Sequence, residues 1–156
     1  MKESIGGISL TMIVIVLILL FAGIMSLTIS RSNAIAVKDK LVRIIEEYEG
    51  FDMNASAKYE TECNGDDALC DMLETINDYS YRQMGKCPEG AIGYERDGSP
   101  VLSTSKAAFC IIRTRAGNEK MNKYYYEVIM FYGIDMPVLN SFLNFKATGE
   151  TKMLSK

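Results

Sequence analysis

The sequence contains no histidine and no tryptophan, and its 156 residues include only three prolines and four cysteines. Histidine is both the commonest general base and the commonest metal ligand, so neither role has its usual residue here. No paired motif for catalysis by cysteine, lysine or carboxylate stands out either. We therefore expect no catalytic residues, no cofactor and no metal site, and an anchored enzyme is the least favoured class.

An excess of positive charge is also missing. The chain has 17 Lys and Arg against 20 Asp and Glu, a net charge of −3. A nucleic-acid-binding surface would need a clustered basic face, and the sequence shows none. We expect no nucleic-acid partner.

What the sequence does have is a long apolar run, Ile8–Ile29, of 22 residues without a charge, a proline or a cysteine. As a helix it would be about 33 Å long, enough to cross the hydrocarbon of a bilayer. A segment in lipid must bond its own backbone amides, which requires a helix. A buried core helix is the alternative, but the rest of the chain is too small to surround it. A secretory signal is shorter, although Ala34–Ala36 offers an A-x-A cleavage site.

The helical pattern continues past the apolar run in amphipathic form, with Gly50 as the expected C′ residue. Apolar residues at spacings of three and four form one stripe: Ala34, Val37, Leu41, Ile44, Ile45 and Tyr48. We predict one continuous helix from about Ser4 to Glu49. Its first half is suited to lipid, and its second half carries one face that can pack on a domain. The predicted division is residues 1–29 for the leader and membrane helix and 30–156 for an extracytoplasmic domain.

The remainder of the chain predicts one more helix and an antiparallel sheet, which makes the fold class α+β. The helix should begin after Asn64–Asp67, where its dipole explains the acidic cluster better than a calcium site does, and should end at Gly85. Short strands at 92–94 and 101–102 would form a hairpin across Asp97-Gly98. Longer strands are expected at 107–115, 123–132 and 143–152, with the stripe of the first helix covering the sheet. Tyr124–Tyr126 are more typical of packing than of a stacking platform for a ligand.

The four cysteines, Cys63, Cys70, Cys87 and Cys110, form no C-x-x-C pair, which disfavours zinc. An even number beside a membrane segment indicates disulfides in an oxidising compartment, with buried free thiols as the alternative. A Cys87–Cys110 bond would tie the 88–106 segment to the sheet, which leaves Cys63–Cys70 as the other pair. Cross-pairing of Cys63 or Cys70 with Cys110 would contradict this prediction.

The orientation signals conflict. Lys2 precedes the apolar run, whereas four basic residues follow it: Arg31, Lys38, Lys40 and Arg43. The positive-inside rule would place the domain in the cytoplasm. We follow the cysteines instead and expect the domain outside the cytoplasmic membrane, because the basic residues also belong to the amphipathic helix.

A long N-terminal helix, apolar in its first half and packed on a disulfide-bonded antiparallel sheet in its second, resembles a type IV pilin. The leader KESIGG before the apolar run, the stretch AVKDKLVRIIEEYEG and the ending FKATGETKML are similar to the TadE/TadF-like minor pilins of Gram-positive tight-adherence pili. The resemblance implies a membrane-anchored structural subunit, located at the membrane, cell surface or pilus. Its partners would be the membrane, other pilin-like subunits and the pilus assembly machinery.

One position departs from the family. Type IV pilins carry a glutamate five residues after their processing site, where this chain has Met12 or Thr11, which argues against leader processing and against a major-subunit role. Homo- or hetero-oligomers could form through the helix, for which small residues are available at Ser9, Ala22, Gly23, Ser26 and Ser30. The alternative function is a single-pass, membrane-anchored binding or sensor domain unrelated to pili.

Overall fold

The computed structural model describes residues 2–55, 63, 67–101, 105–116, 123–133 and 144–155. Its dominant element is the helix α1, Lys2–Glu47, which runs without a break through both the apolar and the amphipathic stretches. The predicted single helix is therefore confirmed. The helix ends two residues before the predicted Glu49, and its C′ residue is Glu49 instead of Gly50. Glu49 takes the left-handed conformation at φ 52°, and the Glu49 and Gly50 amides donate to the carbonyls of Glu46 and Ile45.

The second helix, α2, spans Ala68–Asp78. Asp67 caps its start, since the carboxylate accepts the amide proton of Leu69 at 3.4 Å. The predicted end at Gly85 is wrong. Ser80 adopts φ 47°, and the Tyr81 amide donates to the carbonyl of Ile76, so this closing turn ends the helix without a glycine.

The described residues after α2 form eight strands: β1 Gly85–Lys86, β2 Ile92–Tyr94, β3 Pro100–Val101, β4 Lys106–Ala107, β5 Phe109–Ala116, β6 Lys123–Gly133, β7 Asn144–Glu150 and β8 Leu154–Ser155. The main sheet is antiparallel, in the order β3-β2-β5-β6-β7, and β8 pairs with the start of β6. Strands β1 and β4 form a separate ribbon. The α+β class and the β2–β3 hairpin are confirmed.

Several strand predictions change in detail. The strand expected from Ala107 is interrupted at Ala108, whose amide donates to the Tyr94 carbonyl, and the β1–β4 ribbon was not predicted. Gly85 belongs to that ribbon, where a side chain would overlap the ring of Phe131. Of the predicted terminal strand, Leu143 lies outside the described residues, as do Leu102 of the hairpin and Asn64–Asp66 before α2.

The core lies between α1, α2 and one face of the sheet. The α1 stripe contributes four fully buried residues, Ala34, Val37, Leu41 and Ile45, while Tyr48 remains 37% exposed. Facing them are Phe109, Ile111, Val128 and Met130 of β5 and β6. A smaller cluster around Cys110, Ile129 and Phe131 covers the opposite face of the sheet. The predicted helix cover and the two-sided burial of the central strands are both confirmed.

Candidate functional site at the helix junction

The apolar half of α1 projects from the domain with no cover. Its large side chains are exposed, with Leu10 at 67%, Phe21 at 64% and Ile24 at 61% of their full accessibility. A soluble domain would not leave so large an apolar surface in water. Among the described residues this helix is the one long and apolar enough to span a membrane, and none of its apolar window is buried.

The small residues predicted to pack against other helices do not share one environment. Ala22 and Ser9 are exposed, whereas Gly23, Ser26 and Ser30 are half-buried. Ser30 already contacts its own domain, because its Oγ accepts the amide proton of Gly133 at 3.3 Å. Packing of this face against a second subunit stays a prediction.

Helix α2 runs antiparallel to the second half of α1, as two contacts show. The Tyr48 hydroxyl donates to Asp71 Oδ2 at 2.8 Å near the start of α2. At the other end of α2, the Lys40 ammonium lies 4.8 Å from the centre of the Tyr79 ring. The segment Tyr79–Gln83 therefore continues down α1, towards the apolar half.

That continuation forms an open groove of about 460 Å³ against α1. Its helix wall consists of Ala22, Met25, Ser26, Ile29, Ser30 and Asn33, and its domain wall is Tyr79–Gln83. The helix wall reaches about two turns into the apolar run. Sequence reasoning missed this groove, although two tyrosines followed by Arg82 at the end of an amphipathic helix were a visible signal.

A second part of the domain reaches the same level on α1. Strand β6 ends at Gly133, beside Ser30, and its neighbour Tyr132 pairs with Phe145 at the start of β7. The two rings are stacked with centroids 5.3 Å apart, and Phe145 is 37% exposed. We call the part of the domain nearest the apolar half of α1 the lower rim. It consists of Tyr79–Gln83, Tyr132 and Phe145.

Two disulfides hold the domain, Cys87–Cys110 and Cys63–Cys70, the same pairs that the sequence argument proposed. Cys110 lies on β5 with its side chain in the cluster on the sheet face away from α1. Cys87 follows β1, so the bond joins the β1–β4 ribbon to the main sheet. Cys70 lies in the first turn of α2, and its bond ties Cys63 to that helix.

Two buried tyrosines have strongly perturbed ionisation. Burial, together with the smaller effect of the nearby charges of Asp52 and Asp67, raises the pKa of Tyr94 to about 12. Burial raises the pKa of Tyr81 well above its usual range, and the Phe131 backbone offsets this only in part. The Phe131 backbone is the group nearest to acting as a partner, but no contact of the Tyr81 hydroxyl with a described group meets hydrogen-bond geometry. A buried phenol held neutral is a structural element rather than an acid–base catalyst at neutral pH.

The tyrosines of β6 take part in packing. The Tyr126 hydroxyl donates to the Phe51 carbonyl at 3.2 Å, and the Arg113 guanidinium lies 3.8 Å from the centre of the Tyr124 ring. Tyr126 is buried, and Arg113 covers one face of the Tyr124 ring. In the described part of the chain, no group of three metal-ligating side chains comes together.

Comparison of the chain with protein-family models, with curated proteins and with solved structures gave no match.

Proposed function

We propose that the chain is a membrane-anchored, pilin-like structural subunit that helps assemble a tight-adherence pilus, and that it is not an enzyme. The observation that carries this proposal is the divided helix. One unbroken helix leaves its first half bare and apolar, while its second half forms the cover of an antiparallel sheet. A simple membrane tether has no need to be rigidly continuous with the core of its domain, whereas a subunit assembling through its helix does.

In this proposal the domain lies outside the cytoplasmic membrane. The disulfides support that side, since they persist in oxidising compartments. The basic residues after the apolar run carry less orientation information than their number suggests. Lys38 pairs with Asp39 at 2.9 Å and packs over Gly149, and Lys40 contacts Tyr79. Protease added to intact protoplasts is expected to degrade the domain, and its degradation only after lysis would reverse the orientation.

The assembly role is tested at the small residues. Replacing Ala22 and Ser26 together with leucine fills the face that a neighbouring helix would approach, while keeping the segment apolar. Both residues also line the groove against Tyr79–Gln83, so urea unfolding of the variant is measured to show that its own domain is intact. We expect normal membrane levels of the protein and loss of co-purifying pilus components. The matched control replaces Leu17 and Ile24 with phenylalanine, which adds volume on other faces of α1 and should preserve co-purification.

One result would redirect the assignment. If the Ala22 and Ser26 replacements leave co-purification and piliation unchanged, the helix is a tether. The protein would then be a single-pass anchored binding or sensor domain.

A further inference from the structure

The depth of the lower rim in the membrane follows from the length of uncharged helix. Residues Ser4–Ser30 carry no charge, a stretch of 27 residues. As a helix it measures about 40 Å, whereas the hydrocarbon layer is about 30 Å thick. The helix therefore has about 10 Å more uncharged length than the hydrocarbon needs.

Contacts between α1 and the domain show that the extra uncharged length lies at the end of the stretch nearest the domain. Tyr79–Gln83 lies beside α1 between Ala22 and Asn33, and Gly133 contacts Ser30. An irregular segment with an arginine is not stable facing hydrocarbon, because its backbone groups and charge lose their water. The helix must therefore be displaced towards the domain side of the membrane, far enough to place Gly23–Ser30 in the head-group layer. The groove is then at the depth of the lipid phosphates.

The chemistry of the groove matches that depth. Met25 and Ile29 are 67% and 62% exposed and form an apolar wall continuous with the membrane-spanning surface. Arg82, on the opposite wall, is exposed, and among the described residues no carboxylate lies within ion-pair distance of it. Guanidinium groups bind phosphate with two parallel hydrogen bonds. Tyrosine and phenylalanine rings at this level, in the Tyr132–Phe145 pair, are typical of an interfacial aromatic belt.

We propose that the lower rim is a membrane-contact surface and that its groove binds one phospholipid, whose phosphate pairs with Arg82 and whose acyl chains lie on Met25 and Ile29. This inference rests on the membrane location in the proposed function. It adds a defined lipid partner to a helix that was assigned only as an anchor. It also fixes the height of the domain, which rests on the bilayer surface instead of standing clear of it.

The test uses the absence of tryptophan from the chain. Three single-tryptophan variants of the full chain are placed in phosphatidylcholine nanodiscs: Gln83→Trp in the groove, Leu17→Trp in the apolar half and Tyr125→Trp at the opposite end of β6. Lipids brominated near the glycerol or near the methyl end of their acyl chains report depth. Emission from Gln83→Trp should fall by roughly half with the shallow bromines and little with the deep ones. Emission from Tyr125→Trp should be unaffected.

The Leu17→Trp variant separates this inference from the membrane assignment. Strong quenching of Leu17→Trp by the deep bromines with none of Gln83→Trp would overturn the lipid site and leave the anchor intact. Absence of quenching at Leu17→Trp would overturn the membrane location itself.

The phosphate contact is tested in mild detergent by titrating the Gln83→Trp protein with brominated phosphatidylglycerol. Adding Arg82→Gln should weaken the apparent affinity several-fold, whereas the matched change Arg115→Gln, at the far end of β5, should leave it unchanged. Equal effects of the two changes would overturn the proposal, as would competition by inorganic phosphate alone at the concentration of the lipid. Cross-linking of the residue 83 position to a second copy's helix in place of lipid would also overturn it.

Discussion

The two halves of α1 belong to one unbroken helix but differ in how far the domain covers them. In the first half every face is apolar, and the described side chains are exposed from Ser9 to Ala22 and mostly exposed beyond it. In the second half only one stripe is apolar, and Ala34, Val37, Leu41 and Ile45 in that stripe are fully buried. Because the backbone is helical throughout, the two halves differ only in their side chains and in what surrounds those side chains. Identical substitutions in the two halves should therefore affect different properties of the protein.

The largest effect is expected from charges in the first half. Replacing Leu17 and Leu20 with arginine should cost about 5–7 kcal/mol of membrane insertion, because each charge near the bilayer centre costs about 2.5–3.5 kcal/mol. Most of the protein should leave the membrane fraction, and a domain that is no longer carried across the membrane should lack its disulfides. Carbonate extraction followed by non-reducing gels measures both. A variant that stays fully in the membrane fraction would contradict the assignment of the first half of α1 to the hydrocarbon layer.

Truncation of the second half should affect folding instead. Leu41→Ala removes a fully buried side chain and should lower the free energy of unfolding by about 2–5 kcal/mol. Leu17→Ala makes the same chemical change at an exposed position and should leave the domain's unfolding in detergent unchanged. Urea unfolding followed by tyrosine fluorescence compares them, and similar losses for both would contradict the comparison.

Removing each disulfide in turn compares how much the two bonds contribute to the stability of the domain. The Cys87–Cys110 bond closes a sequence separation of 23 residues, and Cys63–Cys70 closes one of 7. In the chain-entropy model these are worth about 3 and about 2 kcal/mol. The Cys87→Ser, Cys110→Ser pair of changes should therefore be the more destabilising, with membrane association unaltered. A larger loss from the Cys63, Cys70 pair would reverse the order.

The smallest effect expected is alkaline weakening of the domain through Tyr94. Its pKa is about 12 in the folded chain against an ordinary value of 10.0, so the unfolded state releases this proton first as pH rises. Stability is fully present below pH 10 and is lost between pH 10 and about 12, by on the order of 2 kcal/mol. The tyrosinate absorbance of the unchanged chain minus that of a Tyr94→Phe chain, undisturbed by tryptophan, should show this tyrosine ionising only as the domain unfolds.

Phenylalanine at the same position supplies the control for the alkaline experiment. Tyr94→Phe removes the titrating hydroxyl and also a hydrogen bond to the Ala55 carbonyl at 3.2 Å. It should therefore reduce the pH dependence while lowering stability modestly at neutral pH. An unchanged slope above pH 10 would assign the effect to other groups.

Sequence reasoning succeeded where a pattern is local. The continuity of α1, the strands around Cys110 and Tyr126 and the hairpin across Gly98 all follow from periodicity or turn chemistry within a few residues. The end of α2 was wrong because Ser80 accepts a left-handed conformation that glycine usually supplies, once Tyr81 can be buried against the core. At the end of α1, Glu49 likewise adopts the left-handed conformation that was expected of Gly50.

By itself the sequence determined that this chain has a helix able to span a membrane, a sheet for the helix to cover and cysteines enough for two bonds. Those properties depend on the number and spacing of apolar residues, which the sequence states directly. Only the tertiary structure decided that α2 runs back towards the apolar half and brings Arg82 beside Met25 and Ile29. That arrangement joins residues more than 50 positions apart, and it is set by how two helices pack on one sheet rather than by any local pattern.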